Sequence, residues 1–267
     1  MTWSVYDGPG SMKLRVLGCS GGEVPGHKLS CFFLDDSLLI DAGCVTSTLD
    51  LPAQKKIDNV LITHIHLDHT LALAMLADNL YGKSKASVRL WSTTEVIDGL
   101  KNFLFNNQIW PDFTQLTDDA QRVPVVKLCA LPEREARNVG QYSVTAVAVT
   151  HVVPSVGYFI ENKGQTLLHL GDTRSTDEVW SLAHDRPGLC AVVIESSFPD
   201  RLREVANASG HLTPQTLAQE IEKLGRNDVQ ILVSHLKPAF REEIIADLKK
   251  LKNPRVKVLR DGDIVHL

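Results

Sequence analysis

The chain has 267 residues, 43% of them hydrophobic and 22% charged, which suits one large globular domain or two small ones. Its net charge of −4 argues against a basic surface for nucleic acid, but it does not exclude an anionic substrate, because bound divalent metals would add positive charge. The five cysteines include no CxxC pair and predict a reducing, cytoplasmic location, and no apolar run is long enough to cross a membrane.

The predicted domain begins after a short leader. Residues 1–11 lack the basic and apolar segments of a secretory signal, and their Gly-Pro-Gly-Ser ending is typical of a flexible leader or an expression remnant, with Met12 as a candidate start. Residues 12–267 contain no linker and no break in composition, so we expect a single domain there.

Strands and helices alternate in the first half of this domain. Apolar runs and alternation predict strands at 13–17, 31–34, 38–40, 59–62 and 88–91, and the second and third of these form a hairpin. Helical patterns cover 71–77 and 94–105. Residues 106–138 are expected to be irregular.

The second half repeats this outline without a repeated motif. Strands are predicted at 143–149, 157–161, 166–170, 191–194 and 230–234, and helices at 176–184, 214–224 and 241–251. Thr213 followed by Pro214 is typical of a helix start. The order of elements predicts an α/β protein in which two packed mixed β-sheets carry helices on both outer faces.

A histidine-rich turn joins the strand at 59–62 to the next helix. It contains His64, His66, Asp68 and His69 within six positions, at the carboxyl edge of the predicted sheet, where open α/β sheets place their chemistry. Zinc, manganese and iron accept imidazole and carboxylate ligands, and four such groups can serve two ions. The alternative is a polar surface loop that happens to be rich in histidine.

Three further candidates follow other predicted strands. His151, Asp172 and His235 each stand at the carboxyl end of an apolar strand. A lone histidine there is often structural, and an aspartate often caps a helix. Because all three are predicted at the same edge as the histidine-rich turn, they favour one shared site.

These residues match two metal ions. We expect His64, His66 and His151 to hold one ion and Asp68, His69 and His235 to hold the second, with Asp172 as a bridge. Water between two divalent cations about 3.5–4 Å apart ionises near neutral pH and becomes a nucleophile. Zinc is the first choice because no ligand is a thiolate, and manganese or iron would accept the same set.

The same pattern resembles the metallo-β-lactamase superfamily. Its signature, HxHxDH followed by an isolated His, Asp and His, matches residues 64–69, His151, Asp172 and His235 in order. The resemblance implies an αββα sandwich and a dinuclear hydrolase site. Asp41 resembles the buried aspartate that orients the metal turn in this family and is not a ligand.

Shorter strings resemble the class II cyclic-nucleotide phosphodiesterases. They are Leu67 within the metal motif and residues 107–113, 195–199, 209–214 and 234–238, and Thr70-Leu71-Ala72 departs from the pattern expected there. The resemblance implies hydrolysis of 3′,5′-cyclic nucleotides such as cAMP or cGMP to 5′-monophosphates, and it makes a homodimer a family-level expectation.

A phosphodiester also needs a proton donor for its leaving oxygen. His211 lies in a glycine-flanked loop whose context resembles the phosphodiesterases, and Glu195 at a strand end could orient it or hold it protonated. We therefore expect His211 and Glu195, with the ligand Asp68, to be the catalytic residues. The alternative is that His211 only starts the helix at Pro214.

Four residues are candidates for contact with the substrate. They are Trp110 and Phe113, which could stack on a purine, together with Thr213 and Lys237. The two aromatic rings could equally be packing anchors or a dimer contact, and a lysine after a strand is often simply solvated.

Other functions use the same site. A tRNA 3′-processing nuclease or a hydrolase of small cyclic phosphates would share the metal ligands, but a tRNA enzyme should carry a protruding basic arm, and no such insertion is evident. A metal-bound sensor without turnover is a third alternative. We expect a small-molecule cyclic nucleotide as partner, with neither nucleic acid nor membrane.

Overall fold

The computed structural model describes residues 2–4, 11–82, 87–117 and 123–267. Within these residues, eight strands form the first sheet, in the order β1-β15-β2-β3-β4-β5-β6-β7. Their bounds are β1 Thr2–Ser4, β2 Lys13–Gly18, β3 Cys31–Leu34, β4 Leu38–Ile40, β5 Asn59–Leu61, β6 Val88–Ser92, β7 Val126–Ala130 and β15 Ile264–His266.

The second sheet has seven strands among the described residues, in the order β14-β13-β12-β11-β10-β9-β8. Their bounds are β8 Ala136–Val139, β9 Tyr142–Ala148, β10 Val156–Asn162, β11 Gln165–His169, β12 Leu189–Glu195, β13 Gln230–Ser234 and β14 Val256–Val258. Strands β11 to β14 run parallel to one another, and β9 has the same direction because β10 is antiparallel to both β9 and β11. The carboxyl ends of β9, β11, β12 and β13 therefore meet at one edge.

Helices connect and cover the sheets. Their bounds are α1 Val45–Thr48, α2 Leu51–Gln54, α3 Leu67–Thr70, α4 Leu73–Leu80, α5 Thr94–Phe103, α6 Glu178–His184, α7 Arg203–Ala208, α8 Pro214–Lys223 and α9 Arg241–Lys250, with short 3₁₀ turns at Asp200–Leu202 and Pro238–Phe240. In the described part of the chain, none of these helices has the length and apolar character needed to cross a bilayer.

The hydrophobic core has three layers. Strand β3 shows why, since Phe32 and Leu34 face the layer between the sheets while Cys31 and Phe33 face the helices outside the first sheet. This alternation follows from the two-residue period of a strand, and both faces are apolar because both are covered. A third layer lies between the second sheet and α6, α8 and α9, and Trp180 is buried in it. The predicted αββα sandwich is confirmed.

The predicted bounds agree closely with the structure where a short apolar run defines the element. The hairpin strands β3 and β4 and strand β13 have the predicted bounds. The helix predicted at 71–77 corresponds to α4, which spans Leu73–Leu80, and a separate short helix, α3, carries part of the histidine-rich turn.

The prediction that residues 106–138 are irregular is wrong for two segments. Strand β7 pairs with β6, and strand β8 pairs with β9. Both lie at the ends of their sheets, and β8 exposes Ala136, Arg137 and Asn138, so its sequence has no apolar face to reveal it. Most of the leader predicted at 1–11 lies outside the described residues; Thr2–Ser4 forms β1 beside β15.

Candidate metal centre

The carboxyl ends of four strands bring the predicted ligands together. His64 and His66 follow β5, His151 follows β9, Asp172 follows β11 and His235 follows β13. The short helix α3 begins after His66, so Asp68 and His69 lie in its single turn. The histidine-rich turn of one sheet therefore faces three strand ends of the other.

One group of ligand atoms is formed by three histidines. His66 Nδ1 lies 3.1 Å from His64 Nε2 and 3.2 Å from His151 Nε2. The three nitrogens lie within 4.8 Å of one another, close enough to bind one ion. Because the neutral imidazole nitrogen is the ligand form, three neutral rings suit a divalent metal.

A second group contains the remaining four predicted ligands. His235 Nε2 lies 3.1 Å from Asp68 Oδ2 and 3.3 Å from His69 Nε2. Asp172 Oδ1 lies 3.4 Å from His69 Nε2, and Asp172 Oδ2 lies 3.4 Å from His235 Nε2 and 3.8 Å from His64 Nε2. Asp172 thus contacts members of both groups, as a bridging ligand must.

The outer nitrogen of four of the five predicted ligand histidines, all except His66, is also held by a hydrogen bond. His69 Nδ1 donates to Asp41 Oδ2 at 2.7 Å, and the buried Asp41 also accepts hydrogen bonds from Thr63. The other contacts are His64 Nδ1 to Thr63 Oγ1 at 3.0 Å, His151 Nδ1 to the Gly210 carbonyl at 2.9 Å and His235 Nδ1 to Ser197 Oγ at 2.9 Å. Such contacts fix the ring orientation and the tautomer that leaves the inner nitrogen free for a metal.

Backbone conformation supports this arrangement at three positions. Asp41 and His235 have φ values of 55° and 61°, a left-handed conformation that is costly for residues with a side chain and that concentrates at functional sites. Gly210 has a φ of 78°, and a Cβ there would lie 2.6 Å from His151 Nδ1. Only glycine allows its carbonyl to approach His151 in this way.

Burial and neighbouring charges set the protonation of the ligands. Burial lowers the pKa of His64, His66 and His151, which favours neutral rings. Burial would also lower the pKa of His69, but the carboxylates of Asp172 and Asp41 raise it well above its ordinary value.

The two carboxylate ligands are held ionised. Burial alone would raise the pKa of Asp68, but the hydrogen bond from His235 and the charge of His69 lower it. The same opposition acts on Asp172, where His235 and His69 hold the pKa well below the ordinary value. Charged carboxylates and neutral imidazoles are the forms that bind divalent metals, so an ion bound here would displace the additional proton of His69.

The donor set fits divalent metal ions. Asp172 Oδ1 is buried, and no described residue gives it a hydrogen bond of good geometry, since its contact with His69 Nε2 at 3.4 Å is an ion-pair contact only. A buried ionised oxygen in this state is suited to bind a cation. The ligands are nitrogen and oxygen atoms with no thiolate, and this set suits zinc, manganese or iron.

His211 and Glu195 form a buried pair beside these ligands. His211 Nδ1 donates to Glu195 Oε1 at 2.7 Å and lies 3.8 Å from Asp172 Oδ2. Burial alone would lower the pKa of His211, but the Glu195 carboxylate raises it. Glu195 is itself held by Ser197 Oγ and by two backbone N–H groups. Although His211 could also reach a metal with His151 and Asp172, its Nδ1 is already bound to Glu195.

The four predicted substrate contacts are not brought together as one surface. Phe113 is buried in the core and packs edge-on against Tyr81, which is the packing role that the sequence also allowed. Thr213 is fully buried and caps α8 in a capping box with Thr216. Trp110 is half-buried against the same core as Phe113.

Lys237 is half-buried and contacts two other segments of the chain. Its Nζ donates to the Gly21 carbonyl at 3.1 Å and lies 5.3 Å from the centre of the Phe198 ring. The sequence analysis did not identify Ser197, Gly210 or Thr63 as residues of the site. Each of them contacts the outer nitrogen of a predicted ligand histidine. A signal for Thr63 was its place directly before the metal motif.

The sequence matches known proteins over most of its length. The profile of the beta-lactamase superfamily domain matches residues 37–235. A probable 3′,5′-cyclic-nucleotide phosphodiesterase from Yersinia pestis is 25% identical over 290 residues, covering 90% of this chain and 82% of that protein. A ribonuclease Z from Pyrococcus abyssi is 31% identical over 110 residues, covering 40% of this chain and 32% of that protein.

The fold also matches a solved structure. The crystal structure of unliganded yeast PDE1 superposes with a TM-score of 0.80 at 20% identity, covering 97% of this chain and 100% of that one. The predicted resemblance is thus confirmed in its fold and in its family.

Proposed function

Because the chain belongs to the beta-lactamase superfamily domain family, we propose that it is a metal-dependent phosphodiesterase that hydrolyses 3′,5′-cyclic nucleotides to 5′-monophosphates. The buried His211–Glu195 pair beside the metal ligands carries this proposal, because it supplies the proton that a phosphodiester leaving group needs. The relative from Yersinia pestis, whose name states this activity, supports the substrate class.

We assign two divalent ions, with zinc as the first choice. His64, His66 and His151 would hold one, and Asp68, His69 and His235 the other, with Asp172 shared between them. When bound, such ions lower the pKa of a shared water and neutralise phosphate charge. Asp68 is thereby a metal ligand and not a general base.

The chain's own residues complete the reaction. With Nδ1 held by Glu195, His211 can present a proton on Nε2 to the leaving 3′-oxygen. Glu195 keeps the ring protonated and oriented. Both are catalytic residues in the prediction from sequence, and the pair's position next to Asp172 supports that role.

A tRNA 3′-processing nuclease is the second candidate. The 31% identity to a ribonuclease Z favours it, but that match covers 40% of this chain, and the net charge of −4 offers little attraction for RNA. We therefore favour a small-molecule cyclic nucleotide over nucleic acid or membrane. Five free cysteines favour the reducing cytoplasm, and a homodimer stays an expectation from the resemblance.

A substrate panel tests this function. Metal-loaded protein is assayed against 3′,5′-cAMP, 3′,5′-cGMP, 2′,3′-cyclic nucleotides, a precursor tRNA and bis(4-nitrophenyl) phosphate, with chelator-treated protein as control. We expect turnover of a 3′,5′-cyclic nucleotide that chelation abolishes. Turnover of the aryl ester alone, or of the precursor tRNA in preference to cyclic nucleotides, would overturn the assignment.

A further inference from the structure

A cavity of about 280 Å³ opens beside His211, and we call it the side pocket. Its lining includes Arg174, Ser175, Asn207, His211, Thr216 and Gln219. The volume lies just below the range of about 300–1,000 Å³ typical of small-molecule sites, so it suits part of a mononucleotide. Since His211 also contacts Asp172, the side pocket adjoins the metal centre.

The backbone of Arg174 is linked by hydrogen bonds to the segment that contacts Glu195. It follows Asp172 by two positions, its backbone N–H donates to the Thr150 carbonyl at 2.8 Å, and its carbonyl accepts from Thr173 Oγ1 at 2.8 Å. Thr173 N in turn donates to Glu195 Oε1 at 3.0 Å. The backbone that carries Arg174 is thus positioned by the same contacts that position Glu195.

The guanidinium of Arg174 is available to a ligand. The side chain is half-buried, and no described carboxylate lies within 4.0 Å of it. Three other charged residues line the pocket. Arg203 donates to Gln215, and buried Glu220 accepts from Trp180 and pairs with Lys223 at 2.9 Å. Glu204 is exposed and forms no ion pair with Arg174. A half-buried cation without a partner at the wall of a cavity is suited to bind acceptor atoms of a ligand.

We propose that the side pocket binds the nucleobase of the substrate and that Arg174 makes the site selective for guanine. This inference rests on the proposed function. Arginine only donates hydrogen bonds, and guanine presents two adjacent acceptors, O6 and N7, whereas adenine presents N7 beside an N6 donor. The planar guanidinium can therefore bind guanine through two hydrogen bonds and adenine through only one.

The test compares substrates in one variant. We expect Arg174→Gln to lower the ratio of kcat/KM for 3′,5′-cGMP to kcat/KM for 3′,5′-cAMP by about tenfold. This is the discrimination that one bidentate contact to guanine typically provides. The change should come mainly from a higher KM for cGMP. Arg137→Gln is the matched control, since Arg137 is exposed on β8 and pairs with Glu135. An unchanged ratio in the Arg174 variant would overturn the proposal.

Binding of 5′-GMP to the metal-loaded protein separates this inference from the proposed function. By isothermal titration we expect Arg174→Gln to raise the Kd of 5′-GMP about tenfold and that of 5′-AMP much less, and Arg174→Lys, which keeps the charge but loses the fork, to behave like Arg174→Gln. If the wild type does not hydrolyse cyclic nucleotides but binds 5′-GMP more tightly than the two Arg174 variants do, the proposed activity is wrong and the assignment of the side pocket is supported. If it hydrolyses them and both variants bind 5′-GMP as the wild type does, the pocket assignment is wrong.

Discussion

Glu195 Oε1 lies 2.7 Å from Nδ1 of His211, and the two side chains are buried together, with Glu195 completely enclosed and His211 at 9% exposure. Burial opposes a charge on His211, and the carboxylate outweighs it, so the pKa of the histidine is raised. A general acid must be protonated to act, so in the proposed role this contact is expected to extend the pH range of activity upward.

Replacing Glu195 by glutamine tests that relationship. Without the carboxylate charge the pKa of His211 falls, and the alkaline limb of the kcat/KM profile should move to lower pH. His211→Ala should lower kcat by about 10²–10⁴-fold, the usual contribution of a general acid. Metal content, measured by atomic emission, should stay at the wild-type level in both variants. An alkaline limb that does not move in Glu195→Gln would exclude this role for the pair.

Asp41 is expected to control metal affinity without binding metal. It accepts the hydrogen bond from His69 Nδ1 at 2.7 Å and lies fully buried. Asp41→Asn removes the charge that orients His69, and such changes usually weaken metal binding by about 10–100-fold. Competition with a fluorescent zinc chelator measures the affinity. Asp98→Asn, at an exposed position of α5, serves as the control and should bind zinc as the wild type does.

The proximity of the candidate ligands could be predicted because these residues follow local patterns. The motif at residues 64–69 lies in one turn, and His151, Asp172 and His235 each follow an apolar strand. The carboxyl ends of parallel strands lie at the same edge of a sheet, so the position of these residues directly after predicted strands already indicates that their side chains are close together. The hairpin of β3 and β4 could be predicted for the same reason, because one short turn connects two neighbouring apolar runs.

The parts that could not be predicted depend on contacts between distant segments. Strand β7 is defined by its pairing with β6, which lies more than 30 residues earlier in the chain. Ser197 acts through His235, and Arg174 matters because a cavity opens beside it. Nothing in the local sequence distinguishes such residues from ordinary polar side chains.

Gly171 is expected to be intolerant of alanine. Its φ is 62°, and a Cβ there would lie 2.8 Å from the Cβ of Thr63, the residue that contacts Asp41 and His64. Gly171→Ala should therefore lower the free energy of unfolding by about 1–3 kcal/mol, from backbone strain and a steric clash together. Gly164→Ala is the matched control, because its φ is 81° but no described atom lies within 4 Å of the added Cβ. Chemical denaturation compares them, and an equal loss in both variants would show that the clash with Thr63 is unimportant.

His169 is expected to destabilise the protein in mild acid. It is buried beside Phe32, its Nε2 has no hydrogen-bond partner among the described residues, and burial lowers its pKa to about 4. In the unfolded chain the pKa is near the ordinary 6.5, so the unfolded state binds a proton first as the pH falls. The contribution of His169 to stability is therefore complete above pH 6.5 and is lost between 6.5 and 4, by at most about 3 kcal/mol.

His169→Gln removes this titration. In chelator-treated protein, the free energy of unfolding of the variant should fall less steeply than that of the wild type between pH 6.5 and 4, so that the difference between the two proteins shifts in favour of the variant in acid. His184→Gln, at a histidine whose side chain is 54% exposed on α6, should keep the wild-type slope. Parallel slopes for His169→Gln and the wild type would mean that His169 accepts a proton in the folded protein as readily as in the unfolded chain.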